Sequence, residues 1–210
     1  MNSTRSLFRR GAAVAAVCAA SVALAACGST DHDGHRSASA SASATASVSA
    51  SQGEHNAADV AFAQGMIPHH RQAVEMADLA SGRAGSGQVK KLAADIKKAQ
   101  DPEIRTLSAW LTSWGESVPS QDAMDHSTHG MDGMDGMMTG QDMAELEETS
   151  GTAFDTAFLQ MMIKHHEGAV KMAKTEKTDG AYAPATKMAD RIITSQSEEI
   201  NTMNELLNKS

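Results

Sequence analysis

Residues 59–77 read DVAFAQGMIPHHRQAVEMA, and residues 155–173 read DTAFLQMMIKHHEGAVKMA. At one constant offset Phe, Gln, Met, Ile, a His pair, Ala, Val, Met and Ala coincide. In the first copy Asp59, Phe62, Met66, His69, His70, Ala73, Met76 and Ala77 recur at helical spacing on one face, while Gln64, Arg71 and Glu75 fall opposite, towards water. Pro68 lacks the N–H that would bond the Gln64 carbonyl and predicts a kink. Lys164 stands at that place in the second copy, so the kink is not essential to the motif.

The offset continues past the motif. Residues 81–87, rich in Gly and Ser, read as a turn, and residues 88–114 carry an apolar stripe of Val89, Leu92, Ile96, Ile104, Leu107, Trp110 and Leu111. Residues 184–207 repeat it with Met188, Ile192, Ile200, Met203 and Leu207. The repeating unit is therefore a helical hairpin. Two hairpins bury each other's apolar faces most simply as an all-α four-helix bundle, here spanning residues 56–208, with residues 56–114 and 151–208 as the hairpins. Between them, residues 115–150 hold a Met/His-rich loop, MDHSTHGMDGMDGMM, and a short helix expected over residues 142–149.

Composition agrees with helices. The chain has 210 residues, 41% of them apolar, but aromatics are only 3%, and Ala and Met are better helix than strand formers. The formal charge of -8 disfavours nucleic acid and anionic lipid as partners and favours cations.

Both cysteines lie within the first 27 residues. Arg9 and Arg10 precede an apolar run, residues 11–26, that suits a signal peptide and is short for a membrane span. It ends Leu24-Ala25-Ala26-Cys27-Gly28, which resembles the lipobox of bacterial lipoproteins. That resemblance implies a signal peptide over residues 1–26, lipidation of Cys27, and attachment to the outer face of the cell membrane; the alternative is an ordinary secretory signal. The twin arginines leave the export route open. Residues 27–55, mostly Ser and Ala, read as a flexible tether, and its His32, His35 and His55 read as a solvated polar tail or a weak metal-scavenging arm. Beyond Cys27 there is no thiol, so the domain relies on packing rather than a disulfide.

The chemistry concentrates in Met and His. His69 and His70 lie three and four residues after Met66, and His165 and His166 stand likewise to Met162, so each helix offers thioether and imidazole on one face. Histidines on apolar faces are usually satisfied core residues, but four buried imidazoles without partners would be costly, and their recurrence points to metal or cofactor ligation. Met76, Met172, Met188 and Met203 read first as core, because Met at helical spacing packs well. Met124, Met131, Met134, Met137 and Met138, among Gly and Asp, lie where no core is expected to form around them. Either the segment is a low-complexity linker or its thioethers, with His126 and His129, collect soft ions such as Cu(I) and Ag(I). Glu103 and Glu199 fall within the outer apolar stripes, as do Gln100 and Gln196; the glutamates either orient imidazoles, supply oxygen ligands, or reach water at the stripe's edge. A di-iron carboxylate centre would need Glu three residues before a His, where Met66 and Met162 stand. No Cys-x-x-Cys, phosphate loop or nucleophile elbow is present, and non-covalent haem between facing histidines stays open.

FAQGMIPHHRQAVEMA and its second copy resemble the paired signatures of the family called domain of unknown function 305. The likeness covers residues 56–207. It implies an exported bacterial protein with a ferritin-like bundle and an association with copper, and it points to Met66, His69, His70, Met76, Met162, His165, His166 and Met172 as copper residues. Lys164 departs from the family's usual Pro. The function expected is extracytoplasmic sequestration or transfer of copper, as Cu(I) or Cu(II), with a copper-exchange protein as a partner. The rivals are a metal- or haem-dependent redox enzyme using the same histidines and a structural interaction module.

Overall fold

The structure, a computed structural model, describes residues 53–120 and 135–209. Among them are five helices: α1 Ala57–Arg83, α2 Gly87–Trp114, α3 Gly140–Glu148, α4 Gly151–Asp179 and α5 Ala183–Leu207. Local signals set their ends. Asn56 caps α1 in a capping box with Asp59, Thr139 caps α3 in another with Asp142, and the Ser86 side chain caps α2. Gly115 terminates α2 in the left-handed conformation at φ 77°, which an L side chain would resist. The helix α1 continues through Pro68, and α2 through Pro102.

The two hairpins α1–α2 and α4–α5 pack through their first helices, α1 against α4. This is the expected all-α bundle of repeated hairpins. Its apolar interior has two parts. One joins Met76, Ala80, Val89 and Ile96 to Phe154, Phe158 and Met162. The other joins Phe62, Met66, Leu107 and Leu111 to Ala169, Ala185 and Ile192. Each wholly buried Phe, Met or Leu contributes roughly 1.5–3 kcal/mol by leaving water, so both parts hold the hairpins together. Between them along α1 and α4 lie His69, His70, His165 and His166.

Three expectations need correction. Gln64 and Arg71 do not simply face water: the Gln64 amide donates to the Ser117 carbonyl at 3.3 Å and the Arg71 guanidinium to the Pro119 carbonyl at 2.7 Å. Being long and polar, they pin the segment that leaves α2 onto α1. Met137 and Met138 are not loop residues without a core; they are 8% and 7% exposed, and Met138 packs into the cluster around Ile96 and Phe158. The short helix α3 starts at Gly140, ahead of the expected residue 142, because Thr139 caps it in a box with Asp142. Met124, His126, His129, Met131, Met134, the tether histidines His32 and His35, and Cys27 lie outside the described residues. No described helix is long and apolar enough to cross a membrane.

Candidate functional site

The two apolar clusters are separated by a polar layer in the middle of the bundle. His69, His70 and His166 are fully buried and His165 nearly so. The face that buries them is the one that buries Phe62, Met66, Ala73 and Met76 in α1, and its counterpart in α4. His69 and His165 meet across the α1–α4 contact, with ring centroids 3.8 Å apart and planes inclined by 44°. The rings touch, so an ion has no room between their faces, and the donors available are the nitrogens at their edges.

The second histidine of each pair turns to its own hairpin. His70 Nε2 lies 2.8 Å from Glu103 Oε2, and His166 Nε2 lies 2.7 Å from Glu199 Oε2. With Nε2 donating to a carboxylate, Nδ1 keeps a lone pair. Neither Nδ1 has a hydrogen-bond partner. The glutamate side chains are each 20% exposed, so the contact runs from the buried layer to the surface. Glu103 and Glu199 thus each contact an imidazole while reaching the surface at the edge of the stripe. One turn earlier on α2 and α5, Gln100 and Gln196 are buried, with unpartnered amide atoms.

These orphaned atoms define the site. Among the described residues, every buried side-chain nitrogen or oxygen without a partner belongs to these four histidines and two glutamines, apart from Trp114 Nε1 and the Glu176 carboxyl, which when protonated donates to Asp59. A buried polar group left without a partner costs about 1–3 kcal/mol, so such a concentration suits a ligand better than a structural core. The electrostatics agree. Burial, reinforced by neighbouring His70, pushes the His69 imidazole down to about 3 against a smaller opposing pull from the Asp135 backbone. Burial likewise holds His165 well below its ordinary value. Neutral imidazoles are the form that donates to a metal.

Met66 and Met162 are fully buried one helical turn before the histidines, on the same faces. Their thioethers are soft donors beside borderline imidazoles, a set that fits Cu(I) or Ag(I) better than a hard cation. Met76 is fully buried in the core cluster and Met172 is partly buried against the other, which is the packing role first expected of them. No three His, Cys, Asp or Glu side chains converge among the described residues.

Sequence reasoning did not single out Gln72, Asp135, Gly136, Gly168 or Glu176. Gln72 and Gly168 occupy equivalent places in the two copies, as do Ala80 and Glu176. The signal was present as the positions where the repeats disagree. Glu176 is 1% exposed, and its carboxyl is pushed up to about 8 by burial and by the adjacent Asp59, with Asp179 adding repulsion.

The family model for the domain of unknown function named DUF305 matches residues 59–207. Among solved structures, a putative secreted DUF305 protein from Streptomyces coelicolor is 34% identical, covering 72% of this chain and 93% of its own, with a TM-score of 0.65. A DUF305 fragment from Deinococcus radiodurans is 29% identical, with coverage of 75% and 100% and a TM-score of 0.65. CopM in its Cu(II)-bound form is 36% identical, with coverage of 72% and 96% and a TM-score of 0.62; CopM structures with Cu(I) and with Ag also match. Curated protein sequences give no significant match.

Proposed function

The chain belongs to the DUF305 family, and on that premise we propose that it is an extracytoplasmic protein that takes up copper as cargo, holding Cu(I), Cu(II) or Ag(I) in the polar layer of its bundle. The observation that carries this reading is the concentration of unpartnered imidazole nitrogens on His69, His70, His165 and His166, kept neutral by burial and flanked by Met66 and Met162. Similarity to CopM, which has structures with Cu(I), Cu(II) and Ag, supports the choice of metal.

In this reading His70 and His166 offer Nδ1 while Glu103 and Glu199 fix their tautomer, and His69 and His165 offer the edges of two touching rings. The Met and His residues at 124–134 offer a second group of soft donors, which in this reading passes ions to the bundle or to a partner protein. The lipobox-like sequence at Cys27 supports a lipid anchor, and the secreted relative supports export.

The test is anaerobic titration with Cu(I) against a coloured chelator. The native protein competes, and replacing His69, His70, His165 and His166 together lowers the number of ions held. Unchanged stoichiometry in that variant removes the bundle from the proposal.

A further inference from the structure

The bundle is crossed by a short piece of backbone whose attachments are unusually specific. Residues 135–138, the stretch leading into α3, lie against both inner helices beside the histidine layer. On α1, Gln72 grips Met138 twice: its amide nitrogen donates to the Met138 carbonyl at 2.9 Å, and its amide oxygen accepts from the Met138 N–H at 2.8 Å. On α4, the absence of a side chain at Gly168 is what admits the segment. A Cβ there would lie 1.9 Å from the Asp135 carbonyl oxygen, far inside contact distance. Gly136 takes φ +84° and passes so near α4 that a Cβ would lie 2.6 Å from the Lys164 carbonyl oxygen and 3.0 Å from that of His165. The Asp135 carboxylate also pairs with Lys171, and Met137 and Met138 are buried.

Gln72 and Gly168 each stand two residues after the second histidine of their copy. One helix therefore supplies a clamp and the other a gap at the same place in the repeat, and a single segment uses both. We infer that residues 135–138 form a strap that closes the His69/His165 layer, with Gln72 and Gly168 as the residues that hold it shut. Gly136 runs along the turn carrying His165, and Met138 is tied to Gln72, one turn on from His69, which places the strap beside the contact between the two imidazoles. The cost of opening is chiefly the pair of hydrogen bonds to the Gln72 amide and the burial of two Met side chains. The Asp135–Lys171 pair, exposed at both ends, adds little.

As a gate for copper the strap rests on the function proposed above, but as a cover over the histidines it does not, and its test needs no metal. The native protein, Gln72→Ala and Gly168→Ala are exposed to diethyl pyrocarbonate, and modification of His69 and His165 is followed by mass spectrometry of the digested chain. Loss of both Gln72 bonds should speed labelling of these two histidines by about tenfold or more, with far-UV dichroism unchanged. Should Gly168→Ala fail to fold, Gln72→Ala carries the test. Labelling at the native rate in the folded variants overturns the strap. The same proteins loaded with Cu(I) should surrender it to bicinchoninate faster, at unchanged stoichiometry. A native protein that holds no Cu(I) sinks the copper reading and leaves the labelling result standing.

Discussion

Asp59 and Asp155 each cap the turn of the other hairpin. Asp59, in the first turn of α1, accepts from the Ala181 and Tyr182 N–H groups at 3.2 and 3.0 Å, at the turn between α4 and α5. Asp155, near the start of α4, accepts from the Gly85 and Ser86 N–H groups at 3.0 and 2.8 Å, at the turn between α1 and α2. The repeat is thus locked by exchange: each hairpin's first helix satisfies donors that the partner's turn leaves open.

Asp155→Ala leaves both turn donors without their acceptor, and the expected cost is about 1–3 kcal/mol. Equilibrium urea unfolding measures it as a lower midpoint with an unchanged slope. Asp155→Asn should lose less, since its amide oxygen can still accept from one donor.

Asp59 and Glu176 give the stability a pH dependence, and in the first copy Ala80 stands where Glu176 is in the second. The Glu176 carboxyl, raised from 4.5 to about 8, keeps its proton in the folded chain over a range where the unfolded chain has released it. The folded state then binds more protons, so this group's contribution falls as pH rises from 4.5 to about 8 and is level above. Asp59 works in the opposite sense. Burial opposes its ionisation, but hydrogen bonds from Asn56, Glu176, Tyr182 and Ala181 outweigh that and lower it below 3.8, so its contribution disappears as pH falls through the acid range. Glu176→Gln keeps a donor for Asp59 and removes the titration. Relative to the native protein it should gain on the order of 1–3 kcal/mol between pH 5 and pH 8.5. Denaturant curves at the two pH values check this, and an equal offset at both would show that Glu176 is ionised throughout.

How much of this was legible in the sequence follows from how the repeat encodes it. The hairpins and the face that buries His69, His70, His165 and His166 were readable because helical periodicity and a constant offset are local properties of the chain. Glu103 and Glu199 were found as candidates for the same reason, but their role waited on a distance, since side-chain register between antiparallel helices is fixed only by packing. The strap was misread. Met137 and Met138 sit in a Gly- and Asp-rich stretch with no period, and their burial depends on Gly168 and Gln72, which are distant in sequence. The contact is made by backbone, which composition does not report.

Replacing His69 and His165 together by Phe separates the cost of the layer from its use. The change removes four unpartnered buried nitrogens and keeps two rings in contact, so the metal-free protein should melt at a higher temperature than the native one. The native protein should gain stability when Cu(I) is added, about 2.7 kcal/mol at a hundredfold excess over Kd. The double variant should lose most of that gain. Calorimetry with and without Cu(I) reads both effects, and a variant that melts lower without metal would mean that the imidazoles contribute to packing in a way phenylalanine cannot.

Glu103→Gln and Glu199→Gln test whether the carboxylates act on the metal through the imidazoles. Each Glu binds the Nε2 side of its histidine and so determines that Nδ1 carries the lone pair. A Gln can accept the same hydrogen bond through its amide oxygen, but it is neutral and can also turn its NH2 towards the ring, which favours the other tautomer and blocks donation from Nδ1. Outer partners of metal-bound histidines typically account for 10–100-fold in affinity, and a loss of about that size is expected for each variant in competition with a Cu(I) chelator. Because each glutamate serves its own hairpin, the two losses should fall on separate binding events, and the double variant should weaken both without lowering the final stoichiometry. A stability change of more than about 1 kcal/mol with native Cu(I) affinity would instead assign Glu103 and Glu199 a purely structural role, the surface end of a buried hydrogen bond.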